Sequence, residues 1–297
     1  MQFIKKWRGK RLYEEATHFY QDQNYKEALK YFRELKKVFP DWSEPPANMA
    51  SCYYFLETYD RALTFIDQAL ALKPDLPPYL FNKVLILVAI KRLEDAEAIL
   101  KQLLILDPNN RQYVECYGNI LYEQERFEDA LQLASMFLPK AEEPIPVLLF
   151  IGQLYQKLGL HQDCVDTYSE VLNRDPSHIH ALNGRGFHLL QLEEYSDAID
   201  DFTKAIELHP EFAYAYNNRG FARLQLEYNE EALADISTSI KFDSSNSYAY
   251  RNLGHYYLAM EDTSNAIQAF QQALDLGFTA NYGTEVALRL QQLRSTE

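Results

Sequence analysis

Five prolines stand on one grid: Pro40, Pro74, Pro108, Pro176 and Pro210 are separated by 34 residues or multiples of 34. Each closes a similar phrase, VFP, LKP, LDP, RDP or LHP, and the remaining nodes are Glu142, Ser244 and Phe278. Twelve residues before the nodes stand Ala28, Ala62, Ala96, Ala130, Cys164, Ala198, Ala232 and Ala266. Twenty-four before them stand Ala16, Ala50, Val84, Gly118, Gly152, Gly186, Gly220 and Gly254. Chance does not assemble three such columns. A 297-residue chain with this period is a row of short units, each too small to bury its apolar face except against a neighbour.

The columns predict what each unit is. Small residues at unit positions 8 and 20 let two helices approach closely. Larger residues at helical spacing fill the rest of the seam. The first helix supplies Phe19, Tyr53, Leu87, Leu121, Tyr155, Leu189 and Tyr257. The second supplies Phe32, Ile66, Leu100, Tyr168, Phe202, Ile236 and Phe270. Proline then stops the second helix, because the residue before it resists the helical conformation. Each unit is a helix–turn–helix hairpin.

These positions, in phrases such as NNRGFARLQLEYNEEALADISTSIKFDSS, resemble the tetratricopeptide repeat. The resemblance covers eight units, 9–42, 43–76, 77–110, 111–144, 145–178, 179–212, 213–246 and 247–280. It implies an all-α protein, an α-solenoid wound as a right-handed superhelix, whose first helices line a concave groove. Residues 1–8 read as a lead-in, and 281–297 as a C-terminal capping helix with Leu288, Leu290 and Leu293 for apolar contacts. One junction departs from the pattern: Pro139 falls three residues before its node, and Pro144 and Pro146 follow. The second helix of unit four should end early and leave an irregular link, either a bend or a long loop.

Charge narrows the partners. A net charge of −14 disfavours nucleic acid, which demands a basic face. Residues 1–42 nevertheless carry ten Lys/Arg against six Asp/Glu, and residues 179–246 carry five against twelve. The acidic stretch reads as solvated helix faces, with attraction of a basic partner as the alternative. Cys52, Cys116 and Cys164 form no CxxC pair, which points to free thiols and a cytoplasmic address. The start MQFIKKWRGKR lacks a following apolar stretch, so no secretory signal is expected. The longest apolar run, Val84 to Ile90, has seven residues, too few for membrane insertion.

No catalytic constellation stands out: HExxH, GxxxxGK[ST], GxSxG and a complete GxGxxG are all missing. No enzyme, cofactor or metal is expected. Asp197, Asp200 and Asp201 lack calcium-loop spacing, and His178, His180 and His188 lack the further convergent ligands a metal wants. Position 7 is Arg and position 23 is Asp only in units six and seven. That double switch predicts Arg185–Asp201 and Arg219–Asp235 bridges inside those hairpins, unless they are independent surface charges in a duplicated segment.

The candidate site follows from the resemblance, which makes positions 2, 5, 9 and 12 of each first helix the groove face. In units six to eight this face carries His180, Tyr214 and Tyr248, then Asn183, Asn217 and Arg251, then Phe187, Phe221 and His255. Asn218 and Asn252 border it at position 6. Asn offers a donor and an acceptor to an extended backbone, aromatics add area, and Arg251 suits a carboxylate. The competing reading has the tyrosines packing on neighbouring units and the asparagines merely tolerating exposure. Units three to five present Pro78, Phe81, Leu85, Val88, Tyr122 and Leu149, fit either for an amphipathic helix or for packing within the coil. The family's two-carboxylate clamp for chaperone tails is not transferred. Units six to eight place Asn183, Phe187, Asn218, Tyr248 and Asn252 at its positions, matching one. Units one to three place Tyr13, Thr17, Asn48, Pro78 and Asn82 there, again matching one. The expected function is a non-catalytic protein–protein interaction scaffold that binds a protein or peptide segment of unknown identity. The alternative is a targeting adaptor that works through its outer surface.

Overall fold

The computed structural model describes residues 2–278 and 284–296. Among the described residues there are seventeen α-helices, one short 3-10 helix and no strand. The chain forms two compact units, residues 1–141 and 142–297. The first holds α1 (Gln2–Gln21), α2 (Tyr25–Val38), α3 (Glu44–Phe55), α4 (Tyr59–Leu72), α5 (Pro77–Ala89), α6 (Leu93–Leu106), α7 (Arg111–Glu123) and α8 (Phe127–Phe137). The second holds α9 (Pro144–Leu158), α10 (His161–Arg174), α11 (Ile179–Gln191), α12 (Tyr195–Leu208), α13 (Ala213–Gln225), α14 (Asn229–Phe242), α15 (Ser247–Ala259), α16 (Thr263–Asp275) and α17 (Glu285–Thr296). Within each unit, every helix packs against the next, the arrangement of an α-solenoid. Residues 279–283, between the eighth hairpin and the final helix, lie outside the described residues.

The proline rule operates as the sequence predicts. Helices α2, α4, α6, α10 and α12 end at Val38, Leu72, Leu106, Arg174 and Leu208, two residues before the grid prolines. At the irregular junction the proline comes three residues early, and so does the helix end: α8 stops at Phe137, ahead of Pro139. A 3-10 turn, Leu138–Lys140, and a short link then lead to Pro144. The first helix departs from expectation. It begins at Gln2, so the segment expected as a lead-in is helical and continuous with α1.

The seam is filled by small-against-large pairs within each hairpin. A Cβ added to Gly186 would lie 2.8 Å from the Phe202 ring, and one added to Gly254 would lie 2.5 Å from the Phe270 ring. The helices of these hairpins approach so closely that only hydrogen fits at position 8. Phe202 and Phe270 are fully buried in return. The C-terminal helix joins the last hairpin through Val286 and Leu290, which are buried, with Leu293 packed alongside. Leu288, expected to share that contact, is exposed instead.

Candidate functional site

The position-7 and position-23 charges form the predicted bridges. Arg185 donates to both carboxylate oxygens of Asp201 at 2.7 and 2.6 Å, and Arg219 to both of Asp235 at 2.8 Å. Asp201 and Asp235 are buried, and Asp235 also accepts from Arg223 at 2.6 Å. Each Arg reaches further than expected, to the preceding hairpin: Arg185 to Ser169 Oγ and Arg219 to Thr203 Oγ1, both at 3.0 Å. The hydrogen bonds to Asp201 raise the Arg185 pKa. Removing one partner of such a pair costs about 3 kcal/mol, because the other charge stays buried and alone.

A second polar system runs from hairpin to hairpin along the first helices, where α11 meets α13 and α13 meets α15. Asn218 donates to Asn183 Oδ1 at 3.4 Å, Asn217 to Asn218 Oδ1 at 3.2 Å, and Asn252 to Asn217 Oδ1 at 2.9 Å. Position 5 of one hairpin thus pairs with position 6 of the next. Asn217 and Asn252 are only 2% and 3% exposed, so these two serve the repeat-to-repeat contact. Asn217, expected on the groove face, is instead buried between repeats.

Arg251, at position 5 of the last hairpin, joins this column through Asn252. Its Nη1 donates to Asn252 Oδ1 at 3.0 Å. Phe221 and Phe278 rings lie 5.7 and 6.0 Å from the guanidinium. Its Nη2 and Nε donate to Glu285 of α17 at 3.0 and 3.2 Å. His255 Nε2 stands 3.2 Å from the same carboxylate, within ion-pair distance but without an aligned hydrogen bond. Burial, and then Arg251, lower the His255 pKa, which favours the neutral ring beside this cation.

Around Arg251 opens a cavity of about 530 Å³. It gathers six of the expected site residues: Phe187, Asn218, Phe221, Tyr248, Arg251 and Asn252. Asn183, Asn217, His255 and Tyr214 are not among its lining residues, and the Tyr214 ring is half exposed. Sequence reasoning missed Phe278 and Glu285 in the wall, although both were marked by the period. Phe278 is a grid node, and Glu285 lies one period after Arg251. The expected apolar lining in units three to five divides: Phe81 and Val88 pack toward the core, Phe81 with its ring centroid 5.0 Å from that of Tyr113. Leu85 instead borders a cavity of about 100 Å³ with Tyr20, Tyr54 and Phe55.

The remaining polar candidates carry little chemistry. Burial pushes the Cys52 and Cys164 thiols up to about 12 and Cys116 to about 11, far from nucleophilic thiolates. His188 is buried with Nδ1 3.0 Å from His161 Nδ1, while His178 caps α11 by accepting from the Ala181 amide. Among the described residues no three His, Cys, Asp or Glu side chains gather as metal ligands. Also among them, no helix is long and apolar enough to cross a membrane.

Comparison with known proteins agrees with this geometry. Models described as the tetratricopeptide repeat match residues 56–120, 145–178, 180–212 and 247–276, together more than half of the chain. No curated protein sequence matches the chain. Among solved structures, a tetratricopeptide repeat protein from Parabacteroides merdae superposes with a TM-score of 0.60 at 20% identity, covering 84% of this chain and 98% of that one. Yeast Tom70 gives 0.52 at 17% identity over 93% of this chain and 60% of its own. MamA from Desulfovibrio magneticus gives 0.51 at 20% identity over 57% and 96%. These likenesses bear on the fold alone, and the repeated sequence columns, the stacked hairpins and the matched models agree: the chain belongs to the tetratricopeptide repeat family.

Proposed function

We propose that the chain is a non-catalytic, cytoplasmic scaffold that holds an extended peptide or flexible protein tail in the cavity around Arg251. Repeats of this kind are in general protein-interaction scaffolds. The observation that carries the reading is the convergence of aromatic, amide and guanidinium groups on one open cavity of about 530 Å³. Asn252 also serves the repeat contact, but Phe187, Phe221, Tyr248 and Arg251 are only partly buried there. Asn218 offers amide groups to a bound backbone, Phe187, Phe221 and Tyr248 offer apolar faces, and Arg251 offers charge. The three unpaired thiols suit a reducing compartment.

An adaptor working through its outer surface is the second reading, supported by exposed Ile105, Leu106 and Met136 on α6 and α8. A photo-crosslinking residue separates the two. Placed at Tyr248 in the cavity wall, benzoylphenylalanine should capture the natural partner in cells. Placed at exposed Leu208 on α12, it should not. A Phe221→Ala/Arg251→Gln double variant should weaken partner binding tenfold or more, about 1.4 kcal/mol. Capture from Leu208 with normal binding by the double variant would move the interface to the outer surface.

A further inference from the structure

We infer that Glu285 is a resident stand-in for the ligand's carboxylate, and that it sets the cavity's specificity for acidic groups by competing for Arg251. The inference rests on the cavity reading above and adds the chemical class of the ligand and the residue that selects it.

The geometry begins with Arg251, already fixed on three sides by the Asn252 carbonyl and the Phe221 and Phe278 rings. One edge of the guanidinium remains, and Glu285 occupies it with two oxygens at 3.0 to 3.2 Å. Both residues line the cavity. A planar fork pre-oriented in this way favours a carboxylate over any neutral group. Glu285 therefore shows what the seat accepts.

Two roles compete for Glu285. It stands 34 residues after Arg251, not 35 as Asn252 stands after Asn217, yet it too joins one first helix to the next and so extends the inter-repeat column. A rung that served stability alone would be buried like Asn217 and Asn252. Instead the Glu285 side chain is 53% exposed, while that of Arg251 is 21% exposed. Helix α17 does not depend on this contact for its anchorage, because Val286 and Leu290 are buried in the last hairpin's core. Glu285 is thus free to rotate into water with α17 left in place.

Exchange of one carboxylate for another keeps Arg251 paired throughout, which avoids the cost of an unpaired, half-buried cation. A neutral ligand cannot displace Glu285 on these terms. The adjoining aromatic wall, Phe187, Phe221 and Tyr248, fits an aromatic or large apolar side chain beside the acid. The same seat serves a side-chain carboxylate or a chain terminus.

The test uses the full-length protein and three fluorescein-labelled probes read by anisotropy. The first is Gly-Ser-Tyr-Phe-Glu-Gly-amide, the second Gly-Ser-Tyr-Phe-Gln-Gly-amide, and the third the second sequence with a free C-terminal carboxylate. Glu285→Gln should tighten the first or third probe by tenfold or more and leave the neutral amide unchanged. Which of the two acidic probes gains identifies a side-chain or a terminal carboxylate. Glu285→Ala, as a second variant, should behave alike, and Arg251→Gln should abolish the acidic preference. Thermal melting of each variant shows that the fold is kept. Acidic probes that need Arg251 but bind Glu285→Gln and wild type equally would overturn the stand-in and leave the cavity reading intact. Failure of all three probes to bind wild type and both Glu285 variants would overturn both.

Discussion

Asn217 stands among residues that look alike in the sequence and differ in the folded chain. Its amide donates to Asn218, its carbonyl accepts from Asn252, and the side chain is 2% exposed. Truncation to Ala would strand the Asn252 amide in a buried site, so Asn217→Ala should lower stability by about 1–3 kcal/mol, measured by denaturant unfolding. The same change at half-buried Asn218 removes the acceptor of the buried Asn217 amide and should cost a similar amount. The sequence marked these asparagines together but not this division. Helical periodicity within one hairpin identifies what faces its own partner helix, yet a first helix also touches the first helices on either side. Position 5 of one unit meets position 6 of the next, a relation visible only across the 34-residue step. His188 contributes a pH dependence in acid. Burial, then His161, lowers its pKa to about 4, against about 6.5 in the unfolded chain. Between those values the unfolded state binds more protons, so the neutral ring's contribution is intact above pH ~6.5 and falls as pH drops toward ~4. Calorimetry at pH 7 and 4.5 should therefore show wild type losing about 2 kcal/mol more than His188→Phe, whose ring keeps the Tyr168 stack without a proton site.

At the scale of helices and turns, one regularity escaped the columns altogether. Gln23, Glu57, Lys91, Glu125, Glu193, Glu227 and Glu261 are spaced on the 34-residue step and all have φ between +55° and +62°. In the remaining hairpin the same place is Gly159, with φ +70°. This is the left-handed residue that ends a first helix and aims the chain into the second. Side chains there carry a steric cost of about 1–2 kcal/mol, offset only by the packing of the helices that follow. Their polar identities gave no hint, since Glu is otherwise a helix former and only backbone geometry exposes the strain. Glu227→Gly should therefore raise stability by about 0.5–1 kcal/mol after the larger unfolded-state entropy of glycine is subtracted. A lower melting temperature for that variant would mean that Glu227 makes a compensating contact. Helix ends, in contrast, were legible to within a residue or two wherever a proline closed the phrase. α1 was not, because nothing in MQFIKKWRGKR opposes helix extension back to Gln2.

On the scale of the whole molecule, the fold was legible because one unit is written eight times, and eight imperfect copies average out the exceptions. The cavity was legible only in part, because it depends on the final helix, where the packing columns stop and the expected Leu288 contact gives way to Val286 beside the expected Leu290. Stacked repeats touch only their neighbours, so a local defect should spread by proximity along the stack. Gly254 tests this within residues 142–297. Its added Cβ in Gly254→Ala would lie 2.5 Å from the Phe270 ring, which is fully buried and closes against Val286 and Leu290. The overpacking should cost about 1–3 kcal/mol. Hydrogen exchange followed by mass spectrometry should then show the largest loss of protection in α15, α16 and α17, a smaller one in α13 and α14, and the least in α9 and α10. An equal loss in all of these helices would mean that residues 142–297 unfold as one block. In that case Arg251 and Glu285 would sit on a rigid rim, and a ligand would have to find its seat by side-chain rotation alone. A graded loss would instead make the hairpin that carries Arg251 the part of this unit that opens most readily, able to adjust as a peptide enters.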